Sequence, residues 1–141
     1  MCELCERTGG SLVWQDGFCR VVLVDDEDYP GFCRVIINRH VAEMTDLDHA
    51  ERMALMKVVF CVERGIRDVL LPDKINLASL GNVIPHLHWH VIPRFESDRH
   101  FPNPIWGKPL REQSVPLPPG WEKELVSRIS AILEDEAGKA H

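Results

Sequence analysis

The sequence predicts an α+β domain: a largely antiparallel sheet of five strands, one long helix, and a C-terminal arm and helix. Three observations carry this. Five short runs rich in Val, Ile and aromatic residues are separated by turn residues. A single longer stretch, between the third and fourth runs, repeats its apolar residues at helical spacing. A Pro-rich segment follows the fifth run and leads into a second amphipathic stretch. Strand-strand-strand-helix-strand-strand is an order that closes most naturally as a sheet backed by its helix.

In chain order, Leu12–Trp14 and Phe18–Val24 read as strands joined through Gln15-Asp16-Gly17, a turn in which glycine accepts a positive φ. The acidic run Asp25–Asp28 and Tyr29-Pro30-Gly31 end the second strand, and Phe32–Asn38 is the third. Met44–Glu51 opens the long helix, with Asp48 and Glu51 spaced as a capping pair. Leu47, Ala54, Leu55, Val58, Val62, Ile66 and Val69 form its apolar stripe. Gly65 costs about 1 kcal/mol relative to Ala without ending the helix, which Leu71-Pro72 does. Ile75–Leu80 is the fourth strand. Phe95–Pro119 is an arm centred on His100–Gly107, whose aromatic residues pack on the body or on a second subunit. Trp121–Leu133 is the closing helix, and Glu134–His141 a polar tail with no reason to be ordered.

Composition narrows the function. A chain of 141 residues, 45% hydrophobic, builds one domain with a substantial core. It has no apolar run long enough for a membrane span, and its amino terminus has neither the basic nor the apolar region of a signal peptide. A net charge of −6 argues against coating a nucleic-acid polymer, while leaving room for a small-molecule nucleotide that needs only local donors. Five cysteines, an odd number, suggest reduced thiols in a cytoplasmic setting. Cys19, Cys33 and Cys61 fall in apolar segments and read as small buried hydrophobes.

The fifth strand carries the chemistry. In His86-Leu87-His88-Trp89-His90-Val91-Ile92-Pro93, alternation puts three imidazoles on one face, roughly 7 Å apart, and Leu87, Trp89 and Val91 into the core. Such a row is a polar strand face, a metal site, or a nucleophile flanked by helpers; imidazole near neutral pH suits the last. Cys2-Glu3-Leu4-Cys5 is a CxxC that reads as half of a metal site, its remaining ligands being histidines.

The His-x-His-x-His row followed by Val91-Ile92-Pro93-Arg94, with Gly81-Asn82-Val83-Ile84-Pro85 ahead of it, resembles the histidine-triad family of nucleotide hydrolases and transferases. The resemblance runs to about Gly107, so 1–107 is read as the family domain and 108–141 as an extension of the same domain. It implies cleavage at the α-phosphate of nucleoside phosphate derivatives, adenine nucleotides foremost, through a nucleotidyl-histidine intermediate. His88 would be the nucleophile and His90 a donor to phosphate or leaving group. Asn82 would hold phosphate oxygens, and Asp25 the ribose hydroxyls. The resemblance also implies a structural zinc on Cys2, Cys5, His40 and His86, and a homodimer in which the arm reaches the partner's site. Two departures stand out: Phe32 where many members have histidine, and Val83 where a Ser/Thr hydroxyl is common. Two other readings are a nucleotide-binding regulatory module with little turnover and a zinc-binding protein whose histidines serve the metal.

Overall fold

Alternating apolar residues on neighbouring strands make each strand two-faced, and the pairing decides which faces combine. The computed structural model describes residues 2–139. Strands β1 (Ser11–Gln15), β2 (Cys19–Leu23), β3 (Cys33–Ile37), β4 (Lys74–Ala78) and β5 (His88–Arg94) form one sheet in the order β1-β2-β3-β5-β4, every pair antiparallel. A short helix α1 (Glu3–Glu6) precedes them, α2 (His49–Leu70) links β3 to β4, and α3 (Trp121–Lys139) closes the chain. The α+β class and five-stranded sheet are as the sequence predicts. Among the described residues no helix is long and apolar enough to cross a membrane.

Opposed residues share a face in an antiparallel ladder. Arg20 pairs with Ile36, Val22 with Arg34, Ile36 with His88 and Arg34 with His90. These residues therefore lie together on one side of the sheet. Cys19, Val21, Leu23, Cys33, Val35, Ile37 and Val91 lie on the other, in one buried cluster with Leu55, Val59, Val62 and Ile66 of α2 and Leu125, Ile129 and Leu133 of α3. Each large aliphatic side chain buried there contributes roughly 1.5–3 kcal/mol. Gly65 has a packing role: a Cβ there would stand 2.6 Å from Cγ1 of Ile129, so its absence lets α2 and α3 approach closely.

Asp48 caps α2 as expected, its carboxylate accepting from the Glu51 N–H while the Glu51 carboxylate accepts from the Asp48 N–H. The helix ends at Leu70, and Leu71 takes the left-handed conformation (φ 50°). Four local expectations are corrected. Met44–Asp46 is a separate 3-10 turn and α2 starts at His49. Ala54 is exposed, off the buried stripe. The turn before β2 does not use glycine's positive φ; Asp16 shapes it, its carboxylate accepting from the N–H groups of Phe18 and Cys19. The segment read as a polar tail continues α3 to Lys139, because Glu134 accepts from the Trp14 indole and Glu136 pairs with Lys57. Ala140 and His141, also assigned to that tail, lie outside the described residues.

The arm folds back on its own sheet. Arg94, at the end of β5, donates to both carboxylate oxygens of Asp98, to Asn76 and to the Asn103 carbonyl. The Tyr29 hydroxyl donates to Asp98 and lies 2.7 Å from Nδ1 of His100. Burial alone would raise Asp98, but the bonds from Arg94 and from the N–H groups of Phe95 and Phe101 outweigh it and hold the carboxyl below its ordinary range. This buried network ties the loop after β5 to the acidic segment after β2.

Candidate active site and metal centre

The polar face of the sheet meets the histidine row at β5. His88 and His90 belong to the strand; His86 does not, because Pro85 precedes it and its N–H turns back to the Ile84 carbonyl. All three are nevertheless buried, at 0%, 7% and 5% exposure for His86, His88 and His90. Leu87 and Val91 lie in the helix-side core with Trp89 packed against it, as alternation requires.

Backbone carbonyls fix two of the three tautomers. A carbonyl can only accept, so the ring nitrogen facing it carries the proton. Nδ1 of His88 is 2.6 Å from the His86 carbonyl, which leaves Nε2 with its lone pair free. Nε2 of His86 is 2.6 Å from the Ile37 carbonyl, which leaves the Nδ1 lone pair free instead. The two neighbours thus present opposite nitrogens. Burial holds both below the ordinary imidazole value, partly offset by those carbonyl bonds, and Arg34 adds to the lowering at His88.

His86 turns its free nitrogen towards the amino terminus. There Nδ1 lies 3.3 Å from Cys2 Sγ, 3.4 Å from Cys5 Sγ and 3.3 Å from Nδ1 of His40, which is itself 3.4 Å from Cys5 Sγ. The four donor atoms all lie within 4.8 Å of one another. A tetrahedron with zinc–nitrogen bonds of about 2.0 Å and zinc–sulfur bonds of about 2.3 Å has edges of about 3.3–3.8 Å. The set fits that ion in donor type, number and spacing. Arg20 builds the cradle: from β2 it donates to the carbonyls of Leu4, Arg7 and Thr8, and to Asn38, holding α1 against the sheet.

His90 has different surroundings. Its ring packs edge-on between Phe32 (5.4 Å between centroids), Trp106 (5.0 Å) and His88 (4.9 Å). Nδ1 is buried with no hydrogen-bond partner. Burial, with the His88 and Arg34 charges behind it, pushes His90 down to about 3, so the ring is neutral. Phe32 therefore fills, as a buried hydrophobe, the space beside His90.

The other expected site residues stand apart. Asp25 is exposed just after β2, lining a shallow cavity with Val24, Pro30 and Trp121. Asn82 is exposed in the β4–β5 loop, and among the described residues no hydrogen bond holds its amide; Val83 beside it is 91% exposed. Neither Asp25 nor Asn82 is joined to His88 or His90 by a hydrogen bond. Two neighbours of the histidines were not foreseen. Trp106 comes from the arm, a proximity no local pattern encodes. Arg34 did leave a signal: a charge inside an otherwise apolar strand, at the parity that pairing turns towards the histidines.

Comparison with known proteins agrees with this architecture. The histidine triad protein of Marinobacter aquaeolei VT8 superposes with a TM-score of 0.73 at 26% identity, covering 96% of this chain and 98% of that one. The histidine triad protein SMc02904 of Sinorhizobium meliloti 1021 gives 0.72 at 27%, covering 93% and 94%. An AP-4-A phosphorylase of Mycobacterium tuberculosis is 32% identical over 90 residues, 60% of this chain and 46% of that protein, so the match spans about half of the relative's length. With a HIT domain model matching residues 8–97, well over half of the sequence, the chain belongs to the HIT, or histidine-triad, family.

Proposed function

We propose that the protein cleaves nucleoside phosphate derivatives at the α-phosphate, with His88 as nucleophile. The observation that carries this is the His88 tautomer: its Nδ1–H is engaged by the His86 carbonyl, so the nucleophilic lone pair sits on Nε2. That nitrogen attacks the α-phosphorus; a P–N bond forms, the bond to the leaving group breaks, and the electron pair departs with that group. A water oxygen then displaces Nε2, which recovers its lone pair as the nucleoside monophosphate is released and the water's proton passes to solvent; phosphate as the acceptor would give the nucleoside diphosphate instead. Throughout, the His86 carbonyl faces the Nδ1–H and stabilises the positive ring of the intermediate. Neutral His90 donates from Nε2 to a phosphate oxygen. Asn82 and Asp25, both exposed, are assigned to phosphate and ribose on the family pattern, as is adenine as the base. The relative's name, AP-4-A phosphorylase, supports a dinucleoside polyphosphate as one substrate.

Cys2, Cys5, His40 and His86 would hold zinc. With all four positions taken by protein, the ion supplies a rigid joint and no catalytic coordination site. We also propose a homodimer: Trp106 and Leu110 of the arm are 52% and 53% exposed, more apolar surface than an arm facing only water needs. Light scattering giving the 16.1 kDa chain mass at micromolar concentration would count against it.

The test of the main reading is to incubate pure protein with diadenosine tetraphosphate and with adenosine 5′-phosphoramidate and to look for AMP. Quenching during turnover with denaturant at alkaline pH, where a P–N bond to imidazole survives, should trap protein heavier by one adenylyl group, lost in His88→Asn. Nucleotide binding with no release of AMP from either substrate would favour the regulatory module instead.

A further inference from the structure

The polar face of the sheet carries three arginines, and the protein itself uses two of them fully. Arg20 donates to three carbonyls and an amide, fixing α1. Arg94 is forked on Asp98 and also reaches Asn76 and Asn103. Arg34, between them, is different. Its Nε is buried with no hydrogen-bond partner, and its Nη1 makes a long 3.4 Å bond to the Gly9 carbonyl. Among the described residues no carboxylate forms an ion pair with it; Glu3 and Asp26 act on it only from a distance, while burial works against its charge. A half-buried guanidinium is costly to hold in that state.

Its position says what would satisfy it. Arg34 stands directly opposite His90 in the ladder, two pairs along from Ile36 and His88 and so on the same face. Its guanidinium lies 5.7 Å from the centre of the Phe32 ring, the same ring that packs on His90. A planar fork of donors suits phosphate oxygens, which it can take two at a time. With the α-phosphate at Nε2 of His88, the next group along the face falls beside His90 and Arg34.

We propose that Arg34 is a specificity residue that receives the phosphate adjoining the attacked one, so that the site selects substrates whose leaving group is itself a phosphate over those that lose an amine. This rests on the reading of His88 as the nucleophile. When the P–O bond breaks, the electron pair goes to the bridging oxygen of the departing phosphate, and Arg34 meets the charge that gathers there. A second observation agrees. An amine departs only with a proton, and His90, enclosed by Phe32, Trp106 and His88 and held neutral, is poorly placed to give one. A phosphate leaves without needing it.

The test compares kcat/KM for diadenosine tetraphosphate with that for adenosine 5′-phosphoramidate. The wild type should favour the first. Arg34→Met should lower the ratio of the two about ten- to a hundredfold, with Arg34→Lys between Met and wild type. Should the Met variant not fold, Arg34→Gln, similar in reach but uncharged, should show the same fall. An unchanged ratio in the neutral variants, or a wild type that prefers the phosphoramidate, overturns the inference. A wild type that cleaves both while the variants keep its ratio overturns the role of Arg34 alone; one that cleaves neither removes the functional reading beneath it as well.

Discussion

The two faces of the sheet are made by alternating residues of the same strands, yet they are built on opposite principles. The helix side, with Val21, Val35, Ile37 and Val91 under α2 and α3, is apolar throughout and fills space. The other side carries Arg20, Arg34, His88, His90 and Arg94, buried or half-buried polar groups held by carbonyls, carboxylates and rings. One face is replaceable in kind, since hydrophobic volume is what it needs. On the other, each donor and acceptor has a position, and a change alters chemistry before it alters stability. Antiparallel pairing makes the division possible, because a residue's parity alone decides which set of rules it obeys.

That contrast breaks most sharply at His88. His88→Asn should lower AMP release by roughly a thousandfold or more while nucleotide binding and melting temperature change little; His90→Ala should be less impaired, since it loses a donor and not the attacking atom. Turnover near wild type in His88→Asn would sink the assignment. On the helix side, Ile66→Ala should do the reverse. It should cost about 2–5 kcal/mol of stability, read by denaturant titration, with kcat per folded molecule preserved.

Removing metal tests whether the amino-terminal end of the polar face is a joint. Elemental analysis of untagged protein should find about one zinc per chain, and chelation should lower the melting temperature by several degrees. Metal-free protein of unchanged stability and activity would return His86 to a supporting role. The smallest effect concerns pH. His90 is held at about 3 when folded, against about 6.5 in an unfolded chain. The unfolded state therefore binds the extra proton between those values, so stability is complete above about pH 6.5 and falls as the pH drops towards 3. By pH 5 the loss from this group is about 2 kcal/mol. His90→Gln should remove that share of the slope in denaturation measured at pH 7 and pH 5; an identical slope would show that His90 is not the buried neutral group described here.

Much of this was legible because local rules did not conflict. The alternation of His with Leu and Trp put the imidazoles on one face, and Asp48 with Glu51 marked the start of α2. What escaped the sequence depends on contacts between distant positions. The end of α3 is set by Trp14 and Lys57, more than seventy residues away from the acids they meet. Tyr29 and His100 join across 71 positions to seat the arm, and only then does Trp106 reach His90. Arg34 is a charge that a strand template treats as noise, and its meaning appears only when Val22 and His90 are seen on either side of it.

The cradle of Cys2, Cys5, His40 and His86 has a consequence for the order in which the molecule comes together. Its donors leave the ribosome far apart in time, Cys2 being separated from His86 by 84 positions and Cys5 by 81. A four-residue helix such as α1 has no stability of its own. It depends on Arg20, which gathers its carbonyls, and on His86 ahead of the fifth strand, which brings a nitrogen to the two cysteines. The cradle is thus completed only when the segment ahead of the fifth strand lies beside α1, so its closure depends on residues that the chain brings together across most of the sheet.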